Sequence, residues 1–249
     1  MRIWLGGLAL ALGLATSALA AQNPATPLPP AMAAELAAAN RILVDQGVID
    51  VRGHVSLRDP TDPNRFWIAR AVPPGLATPI DLQLFDLEGR QVGGVEYASY
   101  SDRFIHARIY KARPDVKAIV HAQTPSLITM SVSGLPIRPV MTAGLFAASG
   151  VPVHVNGRSG EGIHDAEHGD ALARTLGASN AVLMQGHGAV IVGKDVVTAV
   201  GRAVGLDQNT RIQIDLIAMG VTPVVLEPAT APESDYAREW SWWTHRIAP

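Results

Sequence analysis

The chain contains no cysteine. This excludes disulfide bracing, a thiolate nucleophile and cysteine metal ligands, so any metal site must be built from imidazole, carboxylate or amide donors. An excess of charge of one sign is also missing. The 20 Lys and Arg are nearly matched by 22 Asp and Glu, and the basic residues are scattered rather than striped, which excludes a nucleic-acid surface. Aromatics make up only 5% of the residues, so the core must come mainly from aliphatic side chains. No internal repeat is present. Beyond the first twenty residues there is no apolar run long enough to span a bilayer, which takes about 20 residues.

Those first twenty residues, MRIWLGGLALALGLATSALA, carry one Arg, an apolar run and Ala18-Leu19-Ala20. They predict a secretory signal cut before Ala21, hence a periplasmic or secreted protein with no membrane attachment after cleavage. The Pro-rich stretch at 21–30 (AQNPATPLPP) reads as an extended leader. The remainder suits a single core, expected over 31–225 with a tail at 226–249.

Periodicity predicts a helix over Met32–Gln46, stopped by Gly47, and strand, turn and strand across Val48–Leu57. Further strands are expected at Phe66–Ala71 and Ile80–Asp86, the latter with a hairpin turn at Gly89–Val92. Ser101–Lys111 reads as a helix with Ser101 as N-cap and Asp102 in its first turn; Pro114 ends it. A short buried strand over Ala118–Gln123 precedes a helix or helical turn at Ser126–Val132. Pro152–Val155 is a strand, Glu167–Leu176 a helix, and Ala181–Met184 and Ala189–Val192 two strands joined by Gln185–Gly188. Val196–Ala218 is a long helix ending at Gly220. Loose alternation of strands and helices predicts an α/β fold with a mixed sheet.

The chemistry concentrates in two segments, Tyr100–Thr124 and Gln185–Gly188 (QGHG). On a strand, residues two apart share a face, so His121 and Gln123 aim at one point. His187, set between glycines in a turn, could complete the set. Asp102, at a helix start where the dipole favours its ionised form, stands as a general base or a holder of metal-bound water. His106 lies four residues on, on the same helix face. The pattern outlines a divalent-metal site with His121, Gln123 and His187 as ligands and a carboxylate beside it. Gln123 is a neutral donor, which lowers affinity or favours a harder ion. His164 and His168, spaced i, i+4 between Gly162 and Gly169, read as surface residues. Trp240, Trp242 and Trp243 read as packing on the core or on a neighbouring subunit; the alternative is a tail that lids a neighbour's site.

Three segments together resemble the class II aldolase/adducin family: GHVSLRDP (Gly53–Pro60), SDRFIHARIYKARPDVKAIVHAQT (Ser101–Thr124) and VLMQGHGAVIVG (Val182–Gly193). The resemblance implies a three-layer α/β/α fold with a central mixed, mostly antiparallel sheet, over the 31–225 domain. It implies a homotetramer with sites at subunit boundaries, and a divalent ion, zinc first, with manganese, magnesium or cobalt as alternatives. Gln123 stands where the family has a second strand histidine, and Asp102 where it has a glutamate acid/base. The sugar-phosphate members cradle phosphate with hydroxyls, but the corresponding stretch here, Ala69–Gly75 (ARAVPPG), has none. The GHVS form instead resembles decarboxylases of hydroxylated aromatic acids. That likeness implies that His54 lies near the substrate and that Ser56 and Arg58 supply polar or carboxylate contacts.

The expected function is thus a metal-dependent carbon–carbon lyase, a decarboxylase or retro-aldolase. It would act on a non-phosphorylated hydroxy-acid or hydroxyaromatic carboxylate, with enolate-like charge stabilised by a Lewis acid. Asp102 would move the proton, and His54 or His106 would orient the substrate. The alternative is a non-catalytic periplasmic binding or interaction module that keeps the adducin-type fold.

Overall fold

The computed structural model describes residues 26–157, 160–227 and 233–248. The expected signal segment, and residues 21–25 of the leader, lie outside the described residues. Among those described, no helix is long and apolar enough to cross a membrane.

Thirteen regular elements build the described fold, leaving aside short 3-10 turns. They are α1 (Pro30–Asp45), β1 (His54–Arg58), β2 (Arg65–Ala69), β3 (Leu82–Asp86), α2 (Arg103–Ala112), β4 (Ala118–Ala122), α3 (Pro125–Ser133), β5 (Val153–His154), α4 (Ala166–Leu176), β6 (Ala181–Met184), β7 (Gly188–Gly193), α5 (Val196–Ala218) and α6 (Ala237–Arg246). The strands form one seven-stranded sheet in the order β3-β2-β1-β4-β7-β6-β5. Only β5 and β6 run parallel; the other neighbours are antiparallel.

Helices cover both faces, so the molecule is a three-layer α/β/α structure. Strand alternation sorts the residues between the layers. Val55, Leu57, Ala118, Val120, Ala122, Ala181, Leu183, Ala189 and Ile191 pack with Leu36, Ile42 and Leu43 of α1, Leu127 of α3 and Ala199, Val200 and Leu206 of α5. On the opposite face Ile119, Val182, Val190 and Val192 pack with Ile105 and Ile109 of α2 and Leu172 and Leu176 of α4. His54, Ser56, Arg58 and His121 occupy this second face by the same alternation, under α2.

Two local expectations are corrected. Of the strand, turn and strand expected over Val48–Leu57, only the second strand forms, as β1, because 48–53 is irregular backbone that ends at Gly53, φ 91°. The cap of α2 is Asp102 rather than Ser101, and its side chain makes no capping hydrogen bond. The tryptophan tail forms α6, which docks on α1 and α5. Trp243 is buried and Trp240 packs against the same apolar core, and Arg246 pairs with Asp45 of α1 at 3.0 Å. This is packing on its own chain, on the sheet face opposite the polar cluster.

Candidate active site

Strand register brings the polar residues to one end of the sheet. His54 opposes His121 across β1 and β4, and β4 lies beside β7, which opens at Gly188, directly after His187. Gly188 has φ 148°, and a Cβ there would lie 2.2 Å from the Ala122 carbonyl oxygen. Only glycine lets the two strands approach closely enough to bring His187 over His121. The rings of these two stack with centroids 5.2 Å apart.

Four donors converge here. The Nε2 atoms of His121 and His187 are 3.3 Å apart, and the Gln123 amide terminus is 3.1 Å from each. Asp102 Oδ2 stands 3.8 Å from His121 Nε2 and 3.7 Å from His187 Nε2. The ligand atoms of Asp102, His121 and His187 all lie within 4.8 Å of one another. Donors held about 2.0–2.1 Å from one ion at tetrahedral angles are about 3.4 Å apart, so these separations fit a metal centre. A half-turn of the Gln123 amide exchanges its nitrogen for its oxygen, which would aim a lone pair inward. Both imidazoles are oriented from behind. His121 Nδ1 lies 3.1 Å from the Ala189 carbonyl and His187 Nδ1 3.5 Å from that of Gly160. A proton on each Nδ1 donates to a carbonyl and leaves each Nε2 lone pair free for a cation.

Charge distribution agrees with that geometry. Burial opposes ionisation of Asp102, but its interactions with the surrounding imidazoles, His187 first, outweigh it and hold the carboxyl far below its ordinary range. The Asp102 contact in turn raises His187. Burial brings His121 down to about 4 and pushes His54 and His106 well below the ordinary imidazole value, keeping all three rings neutral.

Behind the donors runs a buried hydrogen-bonded chain. Tyr110 Oη is 2.8 Å from Ser56 Oγ, Ser56 Oγ is 2.6 Å from His106 Nδ1, and His106 Nε2 is 2.8 Å from His54 Nδ1. His54 ends the chain at the cleft, its ring 4.4 Å from that of Tyr100. His106, expected to orient a substrate, is placed with both ring nitrogens engaged inside the fold, by Ser56 and His54. Ser56 is fully buried in the same chain. Arg58, at the other end of β1, donates to the carbonyls of Val116, Pro63, Tyr110 and Arg113. Ser56 and Arg58, expected at the substrate, are thus placed inside the fold: Ser56 is engaged in the buried chain, and four of the five guanidinium N–H groups of Arg58 go to backbone carbonyls.

Two residues near the donor cluster escaped sequence reading. His164, assigned there to the surface, stands with Nδ1 3.3 Å from Asp102 Oδ1, more than half exposed at the rim. Asp102 thus turns one oxygen to the imidazole pair and the other to His164. Arg52, on the turn before β1, joins Asp50, Gly53, His54, Tyr100, Asp102, Gln123, His164 and His187 in lining a cleft of about 600 Å³, a size suited to a small organic ligand. The i, i+4 spacing of His164 and His168 drew attention to the first, but His168 pairs locally with Asp165 instead.

A three-layer fold with two imidazoles and a carboxylate converging at the sheet end forms a cluster that could hold a metal ion. The model of the class II aldolase and adducin N-terminal domain matches residues 34–214, and the chain belongs to that family. It is 30% identical over 237 residues to a 3,4-dihydroxyphthalate decarboxylase of Terrabacter, covering 86% of this chain and 94% of that one. It is 29% identical over 189 residues to the decarboxylase tropJ of Talaromyces stipitatus, covering 69% and 71%. Among solved structures, an L-fuculose 1-phosphate aldolase from Glaciozyma antarctica superposes with a TM-score of 0.73 at 24% identity, covering 90% and 93%; this likeness shows the shared fold.

Proposed function

We propose that the chain is a divalent-metal-dependent decarboxylase of a non-phosphorylated hydroxyaromatic acid. The observation that carries the proposal is the meeting of His121, His187 and Asp102 donors within 4.8 Å in an open cleft, in a chain about 30% identical to decarboxylases of such acids. The cleft lining includes no residue of Ala69–Gly75, the stretch that lacks hydroxyls for a phosphate. This favours decarboxylation over retro-aldol cleavage of a sugar phosphate.

In this reading His121, His187 and Asp102 hold the ion, with Gln123 as fourth donor. Zinc suits the imidazole pair; the amide and carboxylate oxygens also admit manganese, magnesium or cobalt. When bound, the ion supplies Lewis acidity that draws off the negative charge left on the ring as the carboxylate departs. His54, fixed by His106, orients the substrate from the β1 side. The carbon that loses CO2 must gain a proton. Asp102 Oδ1 and His164 stand together at the rim, where His164 passes protons between solvent and the cleft. We further propose export through the N-terminal segment and assembly as a homotetramer. Exposed Ile212, Ile217 and Met219 on and just after α5 support a covered surface.

The test is CO2 release from a panel of hydroxybenzoic and hydroxyphthalic acids by protein loaded in turn with each metal. Release should require metal, and sugar phosphates should not be cleaved to carbonyl products. A second reading, a binding module of adducin type, is favoured only by the neutral Gln123 in place of an imidazole. Protein that takes up no metal at saturating concentration would decide for the module.

A further inference from the structure

Arg52 is the single arginine or lysine lining the cleft among the described residues. Other cations in the neighbourhood are committed. Arg70 pairs with Asp81 at 2.7 Å, Arg103 donates to the carbonyls of Gly89 and Tyr100, and Arg58 is buried against four carbonyls. The Arg52 guanidinium has no hydrogen-bond or ion-pair partner among the described residues, although Asp50 lies two positions away in the same turn. The Asp50 carboxylate instead accepts the Arg52 backbone N–H at 2.8 Å, which fixes the turn and leaves the side chain free. Arg52 is exposed and two residues before His54, and its charge reaches His187. The cleft therefore has a donor set for one cation at its floor and an uncommitted guanidinium on its wall.

We propose that Arg52 selects substrates carrying a second anionic group, a carboxylate that stays on the ring while the other is lost. This rests on the decarboxylase reading and adds the substrate class: hydroxyaromatic dicarboxylates over monocarboxylates. The chemistry is that of a planar fork matching a carboxylate with two parallel N–H···O bonds, which a lysine ammonium cannot reproduce.

The experiment measures binding and turnover separately. Calorimetry with zinc-loaded wild type, Arg52→Ala and Arg52→Lys compares 3-hydroxyphthalate with salicylate, which lacks the second carboxylate. Wild type should bind 3-hydroxyphthalate at least about tenfold more tightly, in keeping with one charge-assisted bidentate contact. Arg52→Ala should erase that preference while leaving salicylate affinity and metal content unchanged, and Arg52→Lys should retain part of it. Equal preference in wild type and Arg52→Ala, or no binding of either acid to wild type, overturns the proposal. CO2 release is scored independently: a wild type that prefers the diacid but releases no CO2 from any acid sinks the decarboxylase reading while sustaining the role of Arg52.

Discussion

The two faces of the sheet are built from the same strands but behave as different environments. In β1, β4 and β6 the strand residues facing α1, α3, α5 and α6 are aliphatic, and they contribute burial. On the face under α2, β1 and β4 offer His54, Ser56, Arg58 and His121, all buried. Buried polar groups are tolerable only when each finds a partner, and here they do so in two ways. At the Arg58 end, backbone carbonyls take four of the five guanidinium N–H donors. At the His54 end, the Tyr110–Ser56–His106 chain satisfies the imidazole on one side and leaves its other side for the cleft. One strand thus carries structural polarity at one end and chemical polarity at the other.

The sharpest way to break the comparison is to remove a donor at the chemical end. His121→Ala and His187→Ala should each reduce bound metal to below a tenth of stoichiometric by elemental analysis. Activity should fall by about 10³-fold or more, since Lewis-acid stabilisation contributes several kcal/mol to the transition state. Thermal unfolding of the metal-free variants should remain cooperative, because the aliphatic face is untouched. Retention of full metal by either variant would remove the two imidazoles from the donor set.

Arg58→Met probes the structural end. Four carbonyls lose their donor together, and unsatisfied buried acceptors cost about 1–3 kcal/mol each, with partial relaxation. A loss of about 3–4 kcal/mol in urea unfolding is expected, with unchanged KM in the protein that remains folded. A large rise in KM with little loss of stability would restore Arg58 to the substrate.

The same contrast explains what could be read before the structure. Alternation and spacing are local, so the β4 strand, the pairing of His121 with Gln123, the HG turn and the layered α/β order were all legible. The fates of Ser56 and Arg58 were not, because most of their partners lie fifty or more residues away in α2 and the segment after it, and a side chain's exposure depends on those partners. His164 and Arg52 sit in turns with no periodicity to mark a face. The assignment of Asp102 to the α2 cap was obscured because its carboxylate forgoes the usual capping bond for the histidine cluster.

Acidification tests the neutral imidazoles. His54, His106 and His121 are held below 6.5, the ordinary value, and His121 down to about 4. The unfolded chain takes up protons as pH falls through about 6.5 while these rings stay neutral in the fold, so their stability is complete above that pH and is lost on the way down to 4. Asp102, also depressed, acts in the same sense at lower pH. His187, raised, acts oppositely: its stability is present in acid and is lost as pH rises through its folded value. Metal-free protein should lose about 2–3 kcal/mol between pH 7 and 4.5 by urea unfolding for each ring that stays neutral in the fold, offset in part by His187. A flat profile would mean that the rings are charged in the fold.

Tyr110→Phe is the mildest cut and addresses the link between the two ends of β1. Tyr110 touches both: its hydroxyl meets Ser56 and its backbone carbonyl accepts from Arg58. Deleting the hydroxyl keeps the carbonyl and the ring packing against Phe66, so the Arg58 end should be unaffected. Ser56 loses one partner but keeps His106, and the cost should be about 1 kcal/mol, the net value of one hydrogen bond. If the chain orients His54, kcat should fall a few-fold with metal content unchanged, and imidazole nitrogen shifts of His54 and His106 should move in nuclear magnetic resonance spectra. Unchanged shifts with the same small loss of stability would reduce the chain to packing and leave His54 oriented by Tyr100 and the strand alone.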